Sequence, residues 1–143
     1  MTRVDFYVSP GQTNQARWQV ACRIAEKAYL QKHRIYIHTN NAEQTEQIDK
    51  MLWIFKAGSF IPHCQPHEAH HQQAAILIGH DSLPDMAPEV LINLADEVPT
   101  FFSRFERVAE VVAGDEQIRK TARNRFKYYR ERGYPLETHQ LNS

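Results

Sequence analysis

Glycine is the first scarcity. The chain has five glycines in 143 residues. The turn after its first apolar run, Ser9-Pro10-Gly11-Gln12-Thr13, carries neither G-x-G-x-x-G nor G-x-x-x-x-G-K-S/T. Backbone amides are not arranged there to cradle a phosphate, which speaks against a nucleotide-binding enzyme. No G-x-S-x-G occurs, and Ser9, Ser59, Ser82 and Ser103 each stand without a His or acidic partner in a motif. Cysteine is nearly as scarce: Cys22 falls in a helical pattern and Cys64 in a loop, with no spacing that suggests a metal or redox pair. Nothing at the N-terminus resembles a secretory signal, so the expectation is a cytoplasmic chain with reduced thiols. No apolar run approaches the ~20 residues that span a bilayer, and mean hydropathy is −0.59. An excess of positive charge is also missing, since 17 Lys and Arg balance 17 Asp and Glu. That excludes a protein basic throughout and leaves room for a local patch.

What is present is an alternation. Val4 to Val8 reads as a strand, and Asn14 to Lys32 as a helix with Val20, Ala21, Ile24, Ala25 and Ala28 at helical spacing. Arg34 to His38 is a second strand, and Asn40-Asn41 can cap a helix from Ala42 to about Phe55. Residues 56–73 lose periodicity and form a long loop. Ala74 to Ile78 and Val90 to Leu94 are buried strands, with a turn from Asp81 to Pro88 between them. Thr100 to Phe105 makes one or two helical turns, and Arg107 to Val112 is the last predicted strand. The expected fold is a single doubly wound, Rossmann-like α/β domain over residues 1–143, its sheet mostly parallel and flanked by helices.

Most of the positive charge collects in Asp115 to Pro135. Asp115 is a good N-cap, Asp115 and Glu116 suit the positive end of the helix dipole, and Gly133 with Pro135 ends the helix. At ~100° per residue, Ile118, Ala122, Phe126 and Tyr129 share an apolar arc, and Arg119, Arg123, Lys127 and Arg130 a basic arc beside it, with Phe126 at the seam. The basic arc is expected to lack acidic partners at helical spacing. An acidic ligand is therefore expected on this face: a nucleic-acid backbone, an acidic peptide or a terminal carboxylate.

Two further clusters stand out. His63, Cys64, His67, Glu68, His70 and His71 offer zinc-ligand chemistry, but their spacing matches no metal signature, and a metal-free loop is expected. Trp53, Phe55 and Phe60 crowd a helix end and the loop beyond it. Ile48 and Leu52 occupy the core-facing side, so Trp53 lies about 100° round the helix, where an aromatic is a typical interface anchor.

Taken in order, Leu52-Trp53, Ser59-Phe60-Ile61-Pro62-His63, Leu91 to Leu94, Phe105 to Val112 and Ala122 to Tyr129 ending at Gly133-Tyr134 resemble the chi-subunit family of the bacterial DNA polymerase III holoenzyme. The resemblance spans nearly the whole chain. It implies a non-catalytic adaptor without cofactor or metal. Such an adaptor pairs with the psi subunit of the clamp loader and binds the acidic C-terminal tail of single-stranded DNA-binding protein. Carried to matching positions, the tail site is Arg119, Arg123, Phe126 and Lys127. Phe126 stands where the family often has tyrosine, which keeps a ring contact and removes a hydroxyl. Trp53, Phe60 and Pro62 become the psi-facing surface, or one shared with a repair helicase. The alternatives are a direct single-stranded nucleic-acid binder using the same basic helix, and a metal-dependent hydrolase built on the histidine loop.

Overall fold

The alternating apolar runs settle into strands whose side chains point to opposite faces, each face covered by helices. The computed structural model describes residues 2–54, 63–65, 75–81 and 89–142, with the backbone alone at 63 and 64. In chain order the elements are β1 (Arg3–Val8), α1 (Asn14–Leu30), β2 (Ile35–His38), α2 (Ala42–Ile54), β3 (His63–Cys64), β4 (Ile76–Gly79) and β5 (Val90–Asn93). A 3-10 turn (Phe102–Arg104), β6 (Arg107–Val112), α3 (Glu116–Glu131) and β7 (Leu136–Gln140) follow. The strands form one sheet in the order β3-β4-β2-β5-β6-β1-β7, and every pairing is parallel.

Strand periodicity of two separates the core into two layers. Ile35 and Ile37 of β2, Ile76 and Ile78 of β4, Val90 and Ile92 of β5 and Ala109 and Val111 of β6 pack with α1 and α2. The intervening Tyr36, Leu77, Leu91, Val108 and Val112 face Phe102, Phe105 and the apolar side of α3. Helices thus cover both faces, the doubly wound arrangement that the sequence predicts. Both faces of the central strands being dry explains their continuous Val, Ile and Leu content.

Each helix starts where a side chain satisfies its first amides. Thr13 Oγ1 accepts from Ala16 N at 3.1 Å, Asn41 Oδ1 from Gln44 N at 2.9 Å, and the Asp115 carboxylate from Gln117 N and Ile118 N at 3.1 and 3.3 Å. At its other end α3 stops at Gly133, whose φ of 79° is open to glycine at little cost, and Tyr134 N returns to Tyr129 O at 3.2 Å.

Two expectations need correction. Arg107 to Val112 is not the last strand: the turn at Gly133 delivers β7, which pairs with β1 from Val4 opposite Leu136 to Val8 opposite Gln140. The predicted loop over 56–73 contains a two-residue strand, β3, paired with β4 at Ile76 and Leu77. No helix is long and apolar enough to cross a membrane among the described residues.

Candidate functional site

The outer face of α3 is positioned by an unusual inner one. Ile118, Ala122, Arg125 and Tyr129 are the buried residues of this helix, spaced 4, 3 and 4 apart as a core stripe should be. Arg125 is the surprise in that stripe. Its Nε donates to Glu110 Oε1 at 2.8 Å, and its Nη1 donates to the Asp96 carbonyl at 3.1 Å. The Tyr129 hydroxyl donates to Glu110 Oε2 at 2.7 Å, and Asn93 Nδ2 donates to the same oxygen at 2.9 Å. Burial, and then the adjacent Glu110 carboxylate, push the Tyr129 hydroxyl far above its usual value, so it stays a donor. The helix is thus pinned to β5 and β6 in one rotational setting, because these bonds cannot survive a turn about its axis.

That setting fixes what faces outward. With Arg119 as reference, Arg123 lies about 40° to one side and Phe126 about 20° to the other, and Lys127 about 80° round. Arg119, Arg123 and Lys127 are exposed, and Phe126 is half-buried. The Phe126 ring stands edge-on to Phe6 of β1 with centroids 5.2 Å apart, and the Arg130 guanidinium lies over the Phe126 ring, 5.9 Å from its centroid. The structure therefore brings Arg119, Arg123, Phe126 and Lys127 onto one face. It places Phe126 at the margin of the core, while Arg125 takes the deep position of the apolar arc.

The expectation of a basic arc without acidic partners is wrong in two places. Arg123 Nη2 meets Glu116 Oε1 at 3.4 Å, and Lys127 Nζ meets Glu131 Oε1 at 3.8 Å, one helical turn on. Both pairs are largely exposed: Arg123 and Glu116 side chains are 60% and 83% accessible. Exposed pairs of this kind contribute at most about 1 kcal/mol, and charge-assisted contacts normally close to about 2.7–2.9 Å. A better-matched carboxylate can displace them. Arg119 and Lys120 have no ion pair among the described residues.

Of the aromatic group, Trp53 sits in the last turn of α2 with 54% of its surface accessible, beside Ile54 at 79%, while Ile48 and Leu52 are buried as expected. Phe55, Phe60 and Pro62 lie outside the described residues, as do His67, Glu68, His70 and His71. Of the histidine loop, the backbone of His63 and Cys64 is described, as β3.

One group among the described residues has metal-ligand proximity, Asp5, Glu137 and His139. Asp5 is already held by Arg3 and Arg107 guanidinium groups, each at 3.2 Å, and by His139 Nε2 at 3.0 Å. A cation would have to displace two fixed positive charges, so this cluster is an ion-pair network that ties β6 and β7 to β1. Arg125, Glu110 and Arg17 are the functional-looking residues that the sequence reading passed over. Their signals were an acid inside an apolar strand, Val108-Ala109-Glu110-Val111-Val112, and cations at core spacing on amphipathic helices.

A parallel doubly wound sheet with helices on both faces makes this a protein of the α/β class, and its last helix turns a cationic face outward next to a phenyl ring. The comparisons with known proteins make this specific. Residues 1–137 match the family described as DNA polymerase III chi subunit, HolC. The chain is 45% identical over 141 residues to the DNA polymerase III subunit chi of Pseudomonas aeruginosa, covering 99% of this chain and 98% of the relative. It is 27% identical to the subunit of that name from Escherichia coli, over 96% of this chain and 97% of the relative. With that of Haemophilus influenzae it shares 26% identity, over 96% of both. The chain belongs to the DNA polymerase III chi subunit family, whose members are non-catalytic accessory subunits.

Proposed function

We propose that this chain is an adaptor of the DNA polymerase III holoenzyme that holds the acidic C-terminal tail of single-stranded DNA-binding protein on the outer face of α3. It would pair with the psi subunit of the clamp loader through a separate surface around Trp53. The observation that carries the first half is that Arg119, exposed and without an ion pair among the described residues, lies one turn from Arg123, which in turn lies one turn from the half-buried Phe126 on the same side of α3. A tail of acidic residues ending in a phenylalanine with a free carboxylate asks for that combination. Guanidinium groups take the carboxylate as a two-toothed partner, and an apolar wall takes the ring.

The second half rests on Trp53 and Ile54, two large side chains left accessible at the end of α2, on the opposite face of the sheet from α3. The family resemblance assigns Phe60 and Pro62, which lie outside the described residues, to the same partner, the psi subunit or a repair helicase.

A titration with an acidic peptide ending in phenylalanine tests the tail reading, with its terminal carboxylate free and again amidated. Arg123→Ala weakens the free-acid peptide by about 1.5–3 kcal/mol, the worth of one charge-assisted contact, and amidation costs a similar amount. Unchanged affinity in both comparisons removes the site. Trp53→Ala is expected to leave peptide binding intact while impairing association with psi. If bare single-stranded DNA binds as tightly as the peptide, with a steep salt dependence shared by Lys120 and Lys127, the helix is a nucleic-acid surface instead.

A further inference from the structure

β7 closes one edge of the sheet, and half of its backbone hydrogen-bonding groups are turned away from the molecule. Val4 N donates to the Pro135 carbonyl and Leu141 N to the Val8 carbonyl, each at 3.0 Å, and the register between these two bonds is unbroken. Successive residues of a parallel strand bond alternately to one side and to the other. Pro135, Glu137, His139 and Leu141 therefore direct their backbone groups to β1, while the N–H and C=O of Leu136, Thr138 and Gln140 point outward. No strand lies beyond them among the described residues. The helices stand back from this edge as well: α3 packs chiefly on β6, and α1 on β6, β5 and β2, with β1 lying between β6 and β7.

Sheets usually guard such an edge with proline, lysine, a bulge or a strand too short to pair. The opposite edge is of the last kind, the two residues of β3. β7 has five residues, Leu136-Glu137-Thr138-His139-Gln140, without proline, glycine or lysine, and its ladder with β1 has no bulge. Its side chains suit one particular neighbour. Laid antiparallel to a second copy of itself, with a two-fold axis through Thr138, the strand sets Leu136 opposite Gln140, Thr138 opposite its own equivalent, and Glu137 opposite His139. The outward residues then fall at the positions that exchange both backbone bonds, and Glu137 and His139 at the closer positions between them. Every outward group finds a partner. With His139 protonated, two pairs of opposite charge also face each other across the axis. Glu137 and His139 are bound within the chain to Arg3 at 2.6 Å and Asp5 at 3.0 Å, yet keep 59% and 38% of their side chains accessible.

We propose that β7 is a self-association edge, through which two copies of this chain join strand to strand, antiparallel, into one continuous sheet. An axis perpendicular to the sheet keeps equivalent faces together, so both copies of α3 lie on the same side and present their outer faces together. The pairing does not depend on what those faces bind. A pair of five-residue strands is small beside the ~1,200–2,000 Å² of a stable interface, so the dimer is a weak one that forms toward millimolar concentration.

Hydrogen exchange on the full chain, read amide by amide at micromolar and at near-millimolar concentration, tests the register, with sedimentation giving the mass. The Glu137, His139 and Leu141 amides are expected to be protected at both concentrations. Those of Leu136, Thr138 and Gln140 exchange freely when dilute and become protected together as the mass doubles. Thr138→Pro removes an outward N–H and leaves the bonds to β1 in place, as proline at a sheet edge allows. Symmetry makes that loss count twice, so association weakens about tenfold or more. Charge supplies a second variant. His139 faces Asp5 and Tyr7 of β1 and Glu137 of its own strand, with Arg3 and Arg107 also bound to Asp5. Association is expected to be tighter at about pH 6 than at about pH 8, and Glu137→Gln abolishes the difference. Where the proline loosens β7 from β1, seen as lost protection at His139 and Leu141, the Glu137→Gln comparison decides. A chain that stays monomeric to millimolar concentration overturns the proposal. So does a dimer whose Leu136, Thr138 and Gln140 amides remain unprotected, one that Thr138→Pro leaves unchanged, or a pH difference that survives Glu137→Gln, since the contact then lies on another surface.

Discussion

Arg125 and Glu110 form an ion pair at 2.8 Å with 2% and 0% of their side chains accessible, and through it α3 is held against the middle of the sheet. Buried pairs cost desolvation that their attraction only partly offsets, so their presence says more about positioning than about net stability. Removing one partner is different, because it strands a charge in the interior. Arg125→Met is expected to destabilise the chain by roughly 3–5 kcal/mol in urea unfolding. Adding Glu110→Gln to that variant recovers part of the loss, since the remaining amide can still accept from Tyr129 and Asn93. If the double variant is as unstable as the sum of the two single ones, the pair is not coupled as described.

Two groups set the acid side of the stability profile in separate windows. Burial, and then the His80 charge, lower the His38 pKa from 6.5 to about 4. The unfolded chain therefore takes up a proton between those values that the folded chain refuses, and stability falls as pH drops through that window. For Asp5 the largest single influence, burial, raises the pKa. The His139 and Arg107 hydrogen bonds, with the Arg3 and Arg107 charges, outweigh it and leave the group below its ordinary 3.8. A depressed carboxylate contributes stability in full above its unfolded value and loses it as pH falls through the folded one, so this contribution fades below about 4. Urea midpoints measured against pH should show both slopes. His38→Gln is expected to flatten the upper one and Asp5→Asn the lower.

What was legible in the sequence follows the strength of its periodic signals. The strand and helix alternation was readable because β2, β4 and β5 are buried on both faces and α2 and α3 carry clear caps at Asn41 and Asp115, whereas the Thr13 cap of α1 shows only in the structure. β7 was not, because Leu136-Glu137-Thr138-His139-Gln140 is an edge strand whose side chains are exposed or half-buried. Its single apolar residue gives no alternation to detect. The basic face was legible as a stripe. Its acidic neighbours were underread: Glu131 stands four residues after Lys127, and Glu116 reaches Arg123 across two turns. The interior cations escaped for a different reason. Arg17 and Arg125 occupy positions that periodicity assigns to apolar side chains, and only tertiary partners, Val111 for one and Glu110 for the other, reveal why a cation is tolerated there.

Glu116 occupies two roles that pull in opposite directions, which makes it a sharp probe of the α3 surface. As an acid in the first turn of α3 it suits the helix dipole, an effect of about 0.3–1 kcal/mol. As the 3.4 Å partner of Arg123 it competes with any carboxylate that docks on that guanidinium. Glu116→Gln removes the charge and keeps the shape. The helix loses its dipole complement, so the urea midpoint should fall slightly. Arg123 loses its competitor, so affinity for an acidic peptide with a free terminal carboxylate should rise by up to about 1 kcal/mol, the ceiling for an exposed pair. Opposite signs in one variant cannot come from general loosening of the helix, which would weaken both. In an Arg123→Ala background the gain in affinity should vanish while the small loss of stability persists, because the first depends on the guanidinium and the second on the backbone amides. A gain that survives there would show that Glu116 acts as a long-range repulsive charge, and that Arg123 is not the group gripping the peptide.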